Sequence, residues 1–284
     1  MDVQSLLHPL LTTSSTATTA TSEDDDAQKI ITKYFSSTSA FILRILLITS
    51  IALISVWASL EASKGFEIAI VNDPTLSPAA QSFHLFYVSN DKVTRILLNA
   101  SSFVENILYN VSPYDPNQTK KQVRRVTLSL APNTTYMAQK VTVHATKSDD
   151  FLISLSPSVM AEADVQYAVV SALIRAVARI WVWDGESRAP PRLVNGMVEY
   201  IASAAGFGNH GRELPGLGGG CWDDKDPRSV AEFLDYCERK KRGFIQRLNQ
   251  EMRREWDDRT VDIALRTRAH RMCDAYKKSY GMTR

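Results

Sequence analysis

Arg175 and Arg179 stand four residues apart in the run Arg175-Ala176-Val177-Ala178-Arg179. On a helix that spacing places two side chains one turn apart on the same face. Two imidazoles so spaced, with a glutamate beside the first, form the H-E-x-x-H helix that holds zinc and activates its water. Two guanidinium groups do different chemistry. Arginine keeps its proton in a protein, so neither residue can ligate a metal or act as a base, and the methyl of Ala176 offers no reactive group. The pair can instead share an anion, because like charges at this spacing repel unless a negative group lies between them.

Nothing else along the chain supplies a replacement centre. The five histidines, His8, His84, His144, His210 and His270, include no two that are four residues apart. No Gly-x-Ser-x-Gly elbow and no marked Ser-His-Asp order occur. The acid pairs Asp223-Asp224 and Asp257-Asp258 suit solvated loops or helix caps. Gly216-Leu217-Gly218-Gly219-Gly220 lacks the preceding strand, the following helix and the Lys-Ser/Thr ending of a phosphate loop, so it reads as an exposed loop. Cys221, Cys237 and Cys273 allow at most one internal disulfide with one thiol over, and none of their spacings suits zinc. Cys237 reads as a small core residue.

The sequence around the arginine pair resembles the plant basic secretory protease family, whose members carry a gluzincin-like H-E-x-x-H helix. The resemblance runs from about residue 66 to 281. It passes through Val123-Arg124-Arg125-Val126-Thr127-Leu128, Phe151-Leu152-Ile153-Ser154-Leu155 and Trp181-Val182-Trp183. It continues through Pro191-Arg192-Leu193-Val194-Asn195-Gly196-Met197-Val198-Glu199-Tyr200, Phe233-Leu234-Asp235-Tyr236-Cys237 and the closing Tyr276-Lys277-Lys278-Ser279-Tyr280-Gly281. It implies a zincin-like peptidase fold with metal ligands at positions 175, 179 and 195 and the water-activating acid at 176. Here those places hold Arg175, Arg179, Asn195 and Ala176, and Glu199 falls where the family has an acid that supports a ligand. The resemblance therefore implies a pseudo-peptidase with no metal, no cofactor and no catalytic residue.

Two uses of the arginines stay open. They can plug the former metal cavity through a salt bridge to Glu199, or they can bind a carboxylate of a protein or peptide ligand in the former substrate groove. The five positions 175, 176, 179, 195 and 199 are thus the candidate site for an anion or a partner. The opposing class is an active peptidase or other hydrolase with a relocated site. A third is a purely structural wall or membrane protein.

The elements that must position these residues read as an α+β domain over residues 66–284, with a small mixed or antiparallel sheet followed by a helical half. Alternation marks strands at 66–71, 123–130, 140–145 and 151–155, and helical spacing marks residues 93–109 between the first two. Residues 163–182 form the helix of the arginine pair, with Val165, Val169, Leu173, Val177 and Ile180 on its core face. Arg175 and Arg179 lie on the flank with Ala168 and Ala172. Trp181 and Trp183 read as core residues. Further helices are expected at 193–204, after an Asp226 cap and Pro227, and at 244–256, 261–266 and 269–280.

Ahead of the domain, residues 1–40 are rich in Ser and Thr with an acidic run at 23–26, and read as a disordered tail. Residues 41–60 are apolar apart from Arg44 and some Ser/Thr, long enough at about 1.5 Å per residue to span the roughly 30 Å hydrocarbon core of a bilayer. They read as a single transmembrane signal anchor, with secretion after cleavage near Val56-Trp57-Ala58 as the alternative. Lys29, Lys33 and Arg44 before or within the span, against Lys64 just after it, favour a cytosolic amino terminus. Four glycosylation acceptors, at Asn99, Asn110, Asn117 and Asn133, agree with a lumenal or extracellular domain.

The first 60 residues carry five acids and three bases, which leaves the remainder with 30 bases against 26 acids. That excess is mild. Arg239-Lys240-Lys241-Arg242 and the basic run at 266–271 alternate with apolar residues at helical spacing, so they read as solvated faces and no nucleic acid partner is expected.

Overall fold

The computed structural model describes residues 41–55, 65–73, 75, 77–109, 119–131, 139–147, 149–208 and 221–279. The chain divides into two compact units, 1–63 and 64–284. In the first, residues 41–55 form a helix, α1, whose side chains are all exposed, Phe41, Leu43, Leu47 and Ile51 among them. The expected anchor extends to residue 60, and 56–60 lie outside the described residues, as does the tail at 1–40. Among the described residues no helix is long and apolar enough to cross a membrane.

The second unit is an α+β domain built on a four-stranded sheet. Strands β1 (Glu67–Val71), β2 (Arg125–Leu130), β3 (Val141–Lys147) and β4 (Asp150–Leu155) lie in the order β1-β2-β4-β3. The alternation of Val126, Leu128 and Leu130 in β2 sets them opposite Phe151, Ile153 and Leu155 of β4. All six are buried, because a period of two sends them to one face. β1, β2 and β4 are parallel, and only the β3–β4 pair is antiparallel. The mixed sheet is as expected, with short-connection reasoning valid for that one pair. Parallel pairing of β1 and β2 requires a long crossover, which helical residues between them provide.

That crossover contains α2 (Pro78–Phe83), a π-helical turn (His84–Val88) and α3 (Lys92–Tyr109). Of these, only α3 is long enough for its sequence to show a helical period. Ser77 caps α2 by accepting a hydrogen bond from Ala80 N at 3.1 Å, and Pro78 fills the first turn. A 3-10 turn at Pro157–Ala161 likewise follows a Ser156 cap and escaped the pattern.

The helical half begins with α4 (Val165–Trp181), capped by Asp164, whose Oδ1 accepts from Tyr167 N at 2.8 Å. It is followed by α5 (Pro191–Ala204), α6 (Pro227–Lys240), α7 (Phe244–Glu251), α8 (Thr260–Leu265) and α9 (Ala269–Ser279). Helix α4 is the centre of the domain and packs against α3, α5, β3 and β4. Val169, Leu173, Val177 and Ile180 are buried on its core side, as the 3.6-residue period requires. Trp181 closes that core. Its ring meets Phe66 and Tyr109 edge-on, and its Nε1 donates to Ser101 Oγ at 2.8 Å.

Helix α6 starts as the sequence indicates, with Asp226 accepting from Arg228 N at 3.0 Å. Helix α7 stops at Glu251, short of the expected 256, because the chain turns at 252–254 before Trp256 packs against the core. Cys221 and Cys273 form a disulfide that ties the start of the α6 segment to α9, and Cys237 is a buried free thiol. The acid pairs serve turns. Asp224 Oδ1 accepts from Asp226 N, and Asp257 Oδ1 accepts from Arg259 N. The glycine-rich run at 216–220 lies outside the described residues.

Candidate functional site

Helix α5 is held against α6 by a close approach at Gly196, where an added Cβ would stand 2.2 Å from Val230 Cγ1. With Gly196 facing α6, its neighbours Asn195 and Glu199 face α4 across a cleft of about 780 Å³. The floor is α4, with Ala168, Ala172 and Ala176 giving room. One wall is α5. The other is β3 from Val141 to His144, and Pro227 and Arg228 close one end. Arg175, Ala176, Arg179, Asn195 and Glu199 all line this one cleft, so the structure brings together every position singled out on α4 and α5.

The two arginines have different surroundings. Arg175 is about one quarter exposed and makes a two-pronged ion pair with Glu199, Nε to Oε1 at 2.7 Å and Nη2 to Oε2 at 2.8 Å. Its Nη1 donates to Ser171 O at 3.2 Å and its Nη2 to Phe207 O at 3.1 Å. This fork matches the planar guanidinium to the carboxylate and leaves little donor capacity for a ligand. Arg179 is exposed in the cleft. It makes no hydrogen bond to a described residue and no ion pair within 4.0 Å among them. Crowding by the protein lowers its pKa, with the charge of Asp184 opposing the shift. Ala176 is buried and presents a methyl, and Asn195 is exposed and lines the cleft.

Two features of the site have no local signal in the sequence. The β3 edge as a cleft wall could not be foreseen, because strand order depends on pairing between distant segments. Lys121, ahead of β2, stands in no pattern that would single it out. Its Nζ donates to Val182 O at 3.0 Å and sits 5.4 Å from the Trp183 ring centre and 5.6 Å from that of Phe151. Burial pushes its pKa down to about 8, the nearby Asp184 opposing and Arg179 adding to the shift. Of the expected glycosylation acceptors, Asn99 is exposed on α3, while Asn110, Asn117 and Asn133 lie outside the described residues.

A family model described as a peptidase of plants and bacteria, BSP, matches residues 63–276. The chain belongs to that family. No curated protein and no solved structure matches significantly. The match thus covers the sheet, the α4–α5 cleft and most of α9.

The donor set in this cleft does not fit a zinc ion. Arg175 is already committed to Glu199, Arg179 is a second guanidinium with no lone pair to give, and Asn195 offers an amide, which is a poor zinc ligand. His144 lines the cleft alone, and among the described residues no group of three or more His, Cys, Asp or Glu could hold a metal ion.

Proposed function

We propose that this BSP-family protein is a non-catalytic binding or regulatory protein, anchored in a membrane by residues 41–60, with its domain lumenal or extracellular. The observation that carries the non-catalytic reading is the Arg175–Glu199 fork. An active zinc centre would need position 175 as a ligand and the acid at 199 to support one, yet here the two neutralise each other across the cleft. Ala176 leaves no group to activate water. The plant setting and a tie to defence or stress rest on the family resemblance alone.

The membrane reading is supported by α1, whose large apolar side chains are exposed along the whole described helix. The Cys221–Cys273 disulfide and the acceptor at Asn99 favour the oxidising side of that membrane.

Metal analysis of the purified full chain, paired with a general peptide-cleavage assay, tests the function. We expect zinc far below one equivalent and no chelator-sensitive cleavage. Stoichiometric zinc with cleavage that a chelator abolishes would return the protein to the active peptidases.

A further inference from the structure

The charges that line the cleft are not equally available. Four acids line it, and each has a partner. Glu199 holds Arg175, Glu162 holds Lys140, and Asp164 and Asp226 accept backbone N–H groups as helix caps. Four bases line it as well. Arg175 and Lys140 are paired, and Arg228 lies 4.0 Å from Asp226. Arg179 alone has no ion pair among the described residues. The acid whose charge it feels is Asp184, which lies beyond ion-pair distance and accepts from Ser187 Oγ at 3.4 Å. The formal charges cancel, four against four, so any preference for an anion comes from placement.

A second observation points to the shape of the ligand. β3 is an edge strand whose one partner among the described strands is β4, and its residues from Val141 to His144 form the wall facing α4. An edge strand presents unpaired N–H and C=O groups that an extended chain can satisfy by adding a further strand. A cleft of about 780 Å³ is within the range that encloses a ligand of several residues.

We propose that the cleft binds an extended peptide carrying a carboxylate, with Arg179 as the counter-ion and the outer edge of β3 as the backbone partner. This rests on the non-catalytic reading and adds a division of labour to it. Arg175 is the strut that holds α4 to α5 and to the chain at Phe207, and Arg179 is the contact that selects. The carboxylate can be the peptide's own terminus or an acidic side chain, since a guanidinium recognises both through the same paired hydrogen bonds.

The test uses the full chain in mild detergent and a random octapeptide pool in two forms, one with free carboxyl termini and one amidated. Peptides retained by the wild type and by Arg179→Gln are sequenced. The wild type is expected to enrich carboxylate-bearing peptides about tenfold over acid-free amidated ones, and Arg179→Gln to lose that preference with an unchanged melting temperature. Charge-assisted pairs are of that strength, since about 1.4 kcal/mol is tenfold. Enrichment confined to the free-terminus pool identifies the terminus as the carboxylate, and acid enrichment in both pools identifies a side chain. No enrichment, or the same enrichment in Arg179→Gln, overturns the proposal. Cleaved peptides in the retained fraction would sink the non-catalytic reading instead, whatever the dependence on Arg179.

Discussion

Arg175 and Arg179 share a residue type, a helix and a cleft, yet burial and pairing give them separate consequences. Removing either partner of the Arg175–Glu199 fork leaves the other charge partly buried without its counter-ion, and removing Arg175 also takes a donor from the carbonyls of Ser171 and Phe207. Arg175→Ala and Glu199→Ala should each cost about 1–3 kcal/mol in denaturant unfolding. The double variant should cost less than the sum, because each single change strands the other group. Arg179→Ala should stay within about 0.5 kcal/mol of wild type, as expected for an exposed side chain with no hydrogen bond or ion pair among the described residues. Equal losses at 175 and 179 would refute this division. The spacing of the pair was legible because it is local; its split was not, since Glu199 and Phe207 arrive from another part of the chain. Lys121 was illegible for the same reason. Its amine falls from 10.5 to about 8 on folding, so between those values the unfolded chain binds more protons. The penalty for burying its charge is therefore full below pH 8 and is relieved as pH rises through that window. Wild type should gain on the order of 1–3 kcal/mol relative to Lys121→Met between pH 7.5 and 10. Parallel stability curves for the two proteins across that range would show that the amine is not held in its buried position.

At the scale of elements, long periodic segments were readable and short ones were not. Helices α3 and α4 repeat their apolar stripe over several turns, and β2 and β4 alternate cleanly, so their local pattern and their burial agree. The six-residue α2 and the five-residue turns before α3 and before α4 contain too few residues to display a period. Their caps at Ser77 and Ser156, followed by Pro78 and Pro157, were the available signals. The packing of α5 on α6 depends on one missing side chain. Gly196→Ala would drive a methyl group into Val230, and such overpacking should cost about 1–3 kcal/mol. Because the obstacle is the Val230 side chain, adding Val230→Ala should recover part of the loss in thermal unfolding. A double variant no better than the sum of its parts would place the cost elsewhere. Since Asn195 and Glu199 flank this contact, the same variant should also weaken the Arg175–Glu199 fork, a coupling that local sequence cannot display.

For the whole molecule, the odd cysteine count allowed one disulfide without naming it, and the fold selects Cys221 and Cys273 across a separation of 52 residues while burying Cys237. Closing a loop of that length is worth about 2–4 kcal/mol, provided the compartment is oxidising. The sugar acceptors make a matching demand. Asn99 is exposed on α3, yet Ser101 of its triplet is buried, accepting from Trp181 Nε1 and donating to Glu105 Oε1, each at 2.8 Å. The triplet is therefore open to a transferase only before α3 and α4 dock, so any sugar at Asn99 must be added to the entering chain. Expressed in plant cells, the protein should gain mobility on a gel after enzymatic removal of N-glycans. Asn99→Gln should shift it by one glycan, and folded, unglycosylated protein should fail as an acceptor at Asn99 in vitro. In sealed microsomes, added protease should trim only the amino-terminal tail, with Cys221 and Cys273 blocked to alkylation until the disulfide is reduced. A chain with no glycan shift and both of those thiols reactive would place the domain on the cytosolic side, and would remove the compartment on which the anchored, ligand-binding reading depends.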